Sequence, residues 1–287
     1  MADYLSLVKI EHTLFALPFA YGAMVLAAGG WPGWRVALLV TLAMVGARTA
    51  AMAANRVIDA AIDARNPRTK GREIPSGKLT RADGVLLIVI GLGLLVYAGA
   101  SLNALTLMLL PIAVLFLVAY PYTKRFTWAC HLWLGATIGA AAAGGWVAVT
   151  GSFALPAVLL WVGVGAWVAG FDVVYALLDR DFDLSEGINS IPSKFGVGGA
   201  KVATGLLYTF AVGALLLVWA SYDPPGLASR LGWPYPLAVS TMTALLVWQM
   251  VVLARRGAPA ALSAFNANLI LSPLMLAGIC FGIATAT

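Results

Sequence analysis

Charged side chains are scarce in this sequence: Asp, Glu, Lys and Arg make up 10% of its 287 residues, against roughly 25% in soluble domains. With 61% hydrophobic residues and a mean hydropathy of +0.90, the chain lacks the polar coat that would dissolve it. That excludes the soluble class and makes the lipid bilayer its solvent. Cysteine is nearly absent. Cys130 and Cys280 fall in apolar stretches without metal-ligand spacing, read as small membrane-core residues. The first residues, MADYLSLVKIEH, lack a small-residue cleavage site, so a retained first helix is expected rather than a cleaved signal peptide. The two histidines, His12 and His131, sit at span edges and read as interface or packing residues. A net charge of +6 does not point to nucleic acid, because the cations sit beside apolar spans rather than in a soluble basic domain.

What is present in quantity is long apolar stretches. A spanning helix needs ~20 mainly apolar residues, and nine candidates appear at roughly 12–30, 35–55, 84–101, 104–121, 128–149, 153–178, 200–220, 235–254 and 262–285. Gly135-x-x-x-Gly139 and Gly163-x-Gly165 allow close helix approach, which favours an all-α bundle over a barrel. Fifteen Lys and Arg, from Lys9 to Arg256, fall at the N-terminus or in the even connections, while the opposite side carries Arg35 and Arg230. This asymmetry predicts a multi-pass inner-membrane protein with a cytoplasmic N-terminus.

Two connections differ from the rest. Asp59 and Asp63 come after the second span, Asp179 and Asp183 after the sixth, and the pairs are separated by the same 120 residues. Each pair leads into a Pro/Gly/Ser stretch, REIPSG at 72–77 and INSIPSKFG at 188–196. A single domain over 1–287 with an internal repeat, roughly 1–125 and 126–255, is expected. Asn55, Asp59 and Asp63 fall on one helical face, as do Asp172, Tyr175, Asp179 and Asp183. Carboxylates this close to a bilayer need a partner. Two facing acidic clusters suit a hard divalent cation such as Mg²⁺, which commonly shares its carboxylates with substrate phosphates. Arg68, Lys70, Arg72, Lys124 and Arg125 lie near enough in sequence to meet such an anion. A diphosphate held this way is a good leaving group. On a lipid chain it leaves an allylic cation that an apolar cavity can shelter. A secondary transporter is the reading from another class, but transporters place their charges near the midplane rather than at one end.

These residues carry a resemblance. Asn55-x-x-x-Asp59-x-x-x-Asp63 is similar to the first signature of the UbiA-type intramembrane aromatic prenyltransferases, and the segment Arg68 to Gly77 resembles the stretch C-terminal to that signature in the family. Tyr120-x-x-x-Lys124 and Asp172-x-x-Tyr175-Ala-x-x-Asp179-x-x-x-Asp183 resemble two further family motifs, in the same order. Glu73 stands where the family often has proline. The resemblance implies two four-helix halves plus a ninth helix around a central cavity. It implies Mg²⁺ held by Asn55, Asp59, Asp63, Asp179 and Asp183, and a polyprenyl diphosphate steadied by Arg68, Arg72, Tyr120, Lys124 and Tyr175. Arg48, seven residues before Asn55 and so about 10 Å deeper on the same face, matches an arginine thought to hold the carboxylate of an aromatic acid acceptor. KIEHTLFALPFA and SIPSKFG resemble a subgroup acting on 4-hydroxybenzoate, part of which is associated with menaquinone synthesis and dihydroxynaphthoate. Both acceptors are aromatic acids, and Arg48 does not separate them.

Overall fold

The computed structural model describes residues 2–8, 16–222 and 231–286. Lys9, His12, Arg230 and the first residues of the expected 12–30 span lie outside the described residues. All regular structure among those described is helical: α1 (Ala2–Val8), α2 (Leu17–Ala28), α3 (Trp34–Ile58), α4 (Ala60–Arg65), α5 (Arg81–Leu102), α6 (Ala104–Thr123), α7 (Cys130–Thr150), α8 (Leu155–Ala176), α9 (Arg180–Glu186), α10 (Ile191–Ser221), α11 (Pro234–Arg256), α12 (Ala261–Ala267) and α13 (Leu271–Ala284). Eight segments among the described residues are long and apolar enough to cross a bilayer, the last running 258–284 through α12 and α13, and α2 is a shorter apolar helix. The chain is a multi-pass membrane protein of about nine helices, close to the bundle that hydropathy predicts.

Its outside is as apolar as its inside. Met108, Phe126, Phe210 and Val202 are each more than half exposed, the inversion expected where lipid rather than water meets the surface. Trp31 and Trp34 pack edge to face, 4.9 Å apart, at the turn between α2 and α3, as interfacial aromatics do. Inside, Trp167 of α8 is fully buried among Phe19, Phe171 and Tyr235.

Small residues set the helix spacing, because hydrocarbon gives no hydrophobic drive between helices and packing must do the work. α3 packs on α5, α7 on α8 and α2, and α8 on α10. A Cβ at Gly139 would stand 2.6 Å from the Trp161 carbonyl oxygen and 2.7 Å from the Gly165 nitrogen, both backbone. Gly139→Ala is therefore expected to lower stability by about 1–3 kcal/mol through overpacking, read as a lower Tm in detergent; an unchanged Tm would contradict this α7–α8 contact.

The bends in the helices matter most for function. The continuous acidic faces expected from spacing are interrupted: α3 ends at Ile58 and α8 at Ala176, so each acidic pair straddles a helix break. Asp59 (φ −93°, ψ 2°) and Asp179 (φ −105°, ψ 1°) adopt nearly the same torsions. In both places the second aspartate's N–H donates to the first aspartate's carbonyl at 2.8 Å. Each break starts a short helix, α4 or α9, with Asp63 or Asp183 in its first turn. The expected loop at 188–196 is also partly helix. Ser190 and Ser193 form a capping box that starts α10, and Gly196 (φ 69°) kinks it where a Cβ-bearing residue would be strained.

Candidate active site

The two acidic motifs meet at one end of the bundle, around a cavity of about 170 Å³. Asn55 and Asp63 line it from the α3–α4 side, and Asp172, Tyr175, Asp179 and Asp183 from the α8–α9 side. Arg68, Arg72, Tyr120 and Lys124 complete the wall. Residues more than a hundred positions apart are thus brought to one site. Asp59 is fully buried and sits behind the lining. Arg48, half-buried two turns back along α3, is not part of the lining either.

The aspartates do not face one another as bare anions, as the spacing alone suggests; three of them hold cations. Arg68 grips Asp179 through two parallel bonds, Nε to Oδ1 at 2.7 Å and Nη2 to Oδ2. Its Nη1 donates to the Tyr175 hydroxyl at 2.8 Å, and the guanidinium lies 5.0 Å from that ring's centroid. Arg72 Nη1 reaches both oxygens of Asp63 at 2.7 Å. Lys124 Nζ lies 2.6 Å from Asp59 Oδ2, which also accepts from Asn55 Nδ2 at 3.0 Å. Arg125 Nη2 stands 3.6 Å from Asp59 Oδ1. Arg65 and Glu186 close the rim between α4 and α9 at 2.7 Å. This outer pair is partly exposed and contributes little, about 0–1 kcal/mol.

Acidities follow from these neighbours. Burial alone would raise Asp179, but hydrogen bonds from Arg68 and Asn66 outweigh it and hold the carboxyl below the usual range. Burial raises Asp59, against the pull of Lys124. Burial, helped by the charge of Asp179, pushes Asp183 up to about 6 despite its hydrogen bond from Ser190.

Several side chains at the site carry no signal in the motif spacing. Asn66 donates to Asp179 Oδ1 at 3.0 Å while its own Oδ1 accepts the Arg68 N–H at 2.9 Å. The Asn66-Pro67 dipeptide announces such a turn, though not its target. Ser190 donates to Asp183 Oδ2 at 3.1 Å. The Asn189 N–H donates to the Lys124 carbonyl at 2.8 Å, tying the end of α6 to the segment after α9. His131, read from the sequence as a packing residue, lines the cavity and lies 2.7 Å from Asp172 through Nδ1. Glu73 is buried beside Arg56 at 3.8 Å and accepts from Ser6 of α1 at 2.6 Å, so it secures the loop after α4 rather than the cavity.

Among the described residues, no three acidic, His or Cys side chains stand ready as a metal site. The available donors are nonetheless carboxylate and carboxamide oxygens, the set a hard divalent cation takes. Asp59 Oδ1 is buried without a hydrogen bond, an acceptor left over for a cation. The residues fit such an ion.

The sequence profile of the UbiA prenyltransferase family matches residues 16–272. The chain belongs to the UbiA prenyltransferase family. It is 31% identical over 249 residues to a 4-hydroxybenzoate octaprenyltransferase of Vibrio campbellii, covering 86% of this chain and 84% of that one. A protein of the same description from Marinobacter nauticus is 32% identical over 273 residues, 93% and 90% of the two chains. The apo structure of a UbiA homolog from Aeropyrum pernix K1 superposes with a TM-score of 0.85 at 31% identity over 95% of this chain and 98% of that one. A UbiA homolog from Archaeoglobus fulgidus, solved with DMAPP and Mg²⁺, shares the fold with a TM-score of 0.74 at 17% identity, covering 99% of each chain. This UbiA-family chain is a prenyltransferase, and nothing in its fold or relatives favours a transporter.

Proposed function

We propose that the chain transfers a polyprenyl group from its diphosphate to an aromatic acid, with 4-hydroxybenzoate the favoured acceptor, in quinone biosynthesis. The observation that carries this reading is the convergence of both acidic motifs and three basic side chains on one cavity at the end of an apolar bundle. The relatives described as 4-hydroxybenzoate octaprenyltransferases support the acceptor. The matched helix breaks support one domain with an internal repeat, roughly 1–125 and 126–255. The cation asymmetry supports an inner-membrane protein with a cytoplasmic N-terminus and the cavity mouth on that side.

Asn55, Asp59, Asp63, Asp179 and Asp183 would hold Mg²⁺, which when bound neutralises charge developing on the departing diphosphate. Arg68, Arg72 and Lys124 are paired with aspartates and close to the same space, so they can turn to phosphate oxygens as those aspartates take a cation. Tyr120 lines the cavity beside them, and Tyr175 steadies Arg68 by a hydrogen bond and its ring face. Phe171 and Tyr175 of α8 pack on Phe265 of α12, centroids 5.5 and 4.5 Å away, and this core contact backs Tyr175, the one of the three that lines the cavity and can help keep water from an allylic cation.

Arg48 tests the acceptor. Arg48 does not line the cavity of the acidic motifs, but its position two turns deeper on α3, on the face of Asn55, supports a role in pairing with an acceptor carboxylate rather than with the diphosphate. Arg48→Ala is expected to raise KM for 4-hydroxybenzoate about 10- to 150-fold while KM for the prenyl diphosphate holds. Arg48→Lys should recover part of the loss, since a point charge cannot form two parallel bonds. Steady-state kinetics on 4-hydroxybenzoate, dihydroxynaphthoate and a phenol without a carboxylate decides it. If the phenol suffers equally, Arg48 is structural.

A further inference from the structure

Asp172 differs from the aspartates that hold a cation and from Asp183, which opens a short helix and accepts a hydrogen bond from Ser190. It lies within α8, four residues before that helix ends and seven before Asp179, so it sits deeper in the bundle than the helix break that carries Asp179. Asp59, Asp63 and Asp179 each hold a Lys or Arg, whereas among the described residues Asp172 meets His131 alone, Nδ1 to Oδ2 at 2.7 Å. His131 is itself buried, and its second nitrogen, Nε2, accepts the backbone N–H of Ile191 at 3.3 Å. Ile191 is the first residue of α10, where the N–H has no partner within the helix and needs an outside acceptor. A nitrogen that accepts carries no proton, so the imidazole is the neutral Nδ1–H tautomer and aims that proton at Asp172. One carboxylate oxygen is thereby fixed, and Oδ1 is left without a hydrogen bond among the described residues.

We propose that Asp172 is the base that removes the ring proton of the aromatic acceptor, and that His131 is its positioning residue. The inference rests on the prenyl-transfer reading above. In the step, the allylic C–O bond breaks and its electron pair leaves with the diphosphate. The allylic carbon bonds to a ring carbon of the acceptor. That ring carbon then gives its proton to Asp172 Oδ1, and the C–H electron pair restores the aromatic ring. Asp172 afterwards returns the proton to water. Asp59 cannot serve in its place here, because it sits behind the cavity wall under Lys124.

The test compares wild type, Asp172→Asn, His131→Phe and His131→Asn on 4-hydroxybenzoate with hydrogen or deuterium on the ring, using geranyl diphosphate and Mg²⁺. Wild type should show an isotope effect near unity, since ring-proton loss is fast. Asp172→Asn should lower kcat about 100-fold and His131→Phe about tenfold. Both should develop a primary isotope effect while KM for geranyl diphosphate stays unchanged. His131→Asn, whose amide N–H can replace Nδ1–H, should recover most of kcat. A general packing defect would lower kcat without creating an isotope effect. Absence of that effect in Asp172→Asn overturns the proposal, whether or not His131→Phe folds. Wild type that prenylates no aromatic acid would overturn the parent reading as well, and that result is distinct from an isotope effect missing in the variants.

Discussion

Asp63→Asn and Asp179→Asn are each expected to lower kcat for prenyl transfer about 100-fold or more, with helix content and detergent Tm close to wild type. Each keeps the side-chain shape and removes one negative charge from the cavity wall. The charge has two uses: it pairs with Arg72 or Arg68 as the structure stands, and it can ligate a cation when substrate arrives. Losing the first leaves a guanidinium that is itself partly exposed, at 25% and 32%, so water can solvate it. That is why stability should suffer less than chemistry. Asp181→Asn is the internal control, for Asp181 lies between Asp179 and Asp183 but is 93% exposed and bound only to its neighbour Arg180 among the described residues. Steady-state kinetics of the three variants beside circular dichroism separates the cases. Near-normal rates in both Asp63→Asn and Asp179→Asn would place the reacting diphosphate elsewhere.

The pairings suggest how the site waits for substrate. A buried carboxylate without a partner costs several kcal/mol, so a site built from five aspartates must be neutralised before any ligand enters. Arg68, Arg72 and Lys124 do this by crossing between elements far apart in sequence. Arg68 and Asp179 are 111 residues apart, and Lys124 reaches Asp59 from the end of α6. The same three cations suit a diphosphate.

How much of this is legible in the sequence depends on which physical signals are local. The spans are legible because bilayer thickness imposes a length and hydrocarbon imposes a composition; α3, α5, α6, α7, α8 and α11 fall within a few residues of expectation. Gly135 and Gly139 are legible as a close-packing face, though their partner Gly165 is known only from the fold. The motif residues Asp63, Arg68, Arg72, Lys124, Tyr175, Asp179 and Asp183 do share a cavity. Hidden from the sequence are the breaks at Asp59 and Asp179, which no Gly or Pro marks. Hidden too is the interruption at Asn268, where the chain turns through a short 3-10 segment and the side chain bonds Trp167 Nε1 at 2.9 Å. His131 is the instructive case. A lone histidine at a span edge has no periodic signature, and its role emerges only when α7, α8 and α10 bring Asp172 and Ile191 to its two nitrogens.

The most direct measurement of the central claim is product formation by the purified protein in detergent from geranyl diphosphate and 4-hydroxybenzoate, with and without divalent metal. Five aspartate and asparagine side chains that supply hard oxygen ligands, and the buried Asp59 Oδ1 that accepts no hydrogen bond, lead to one expectation. With Mg²⁺, mass spectrometry should find the prenylated acid with one inorganic diphosphate released for each product. With excess EDTA, turnover should fall below detection and return when Mg²⁺ is restored. Full turnover in EDTA by protein stripped of carried-over metal, or diphosphate release in Mg²⁺ without any prenylated acid, would contradict the account.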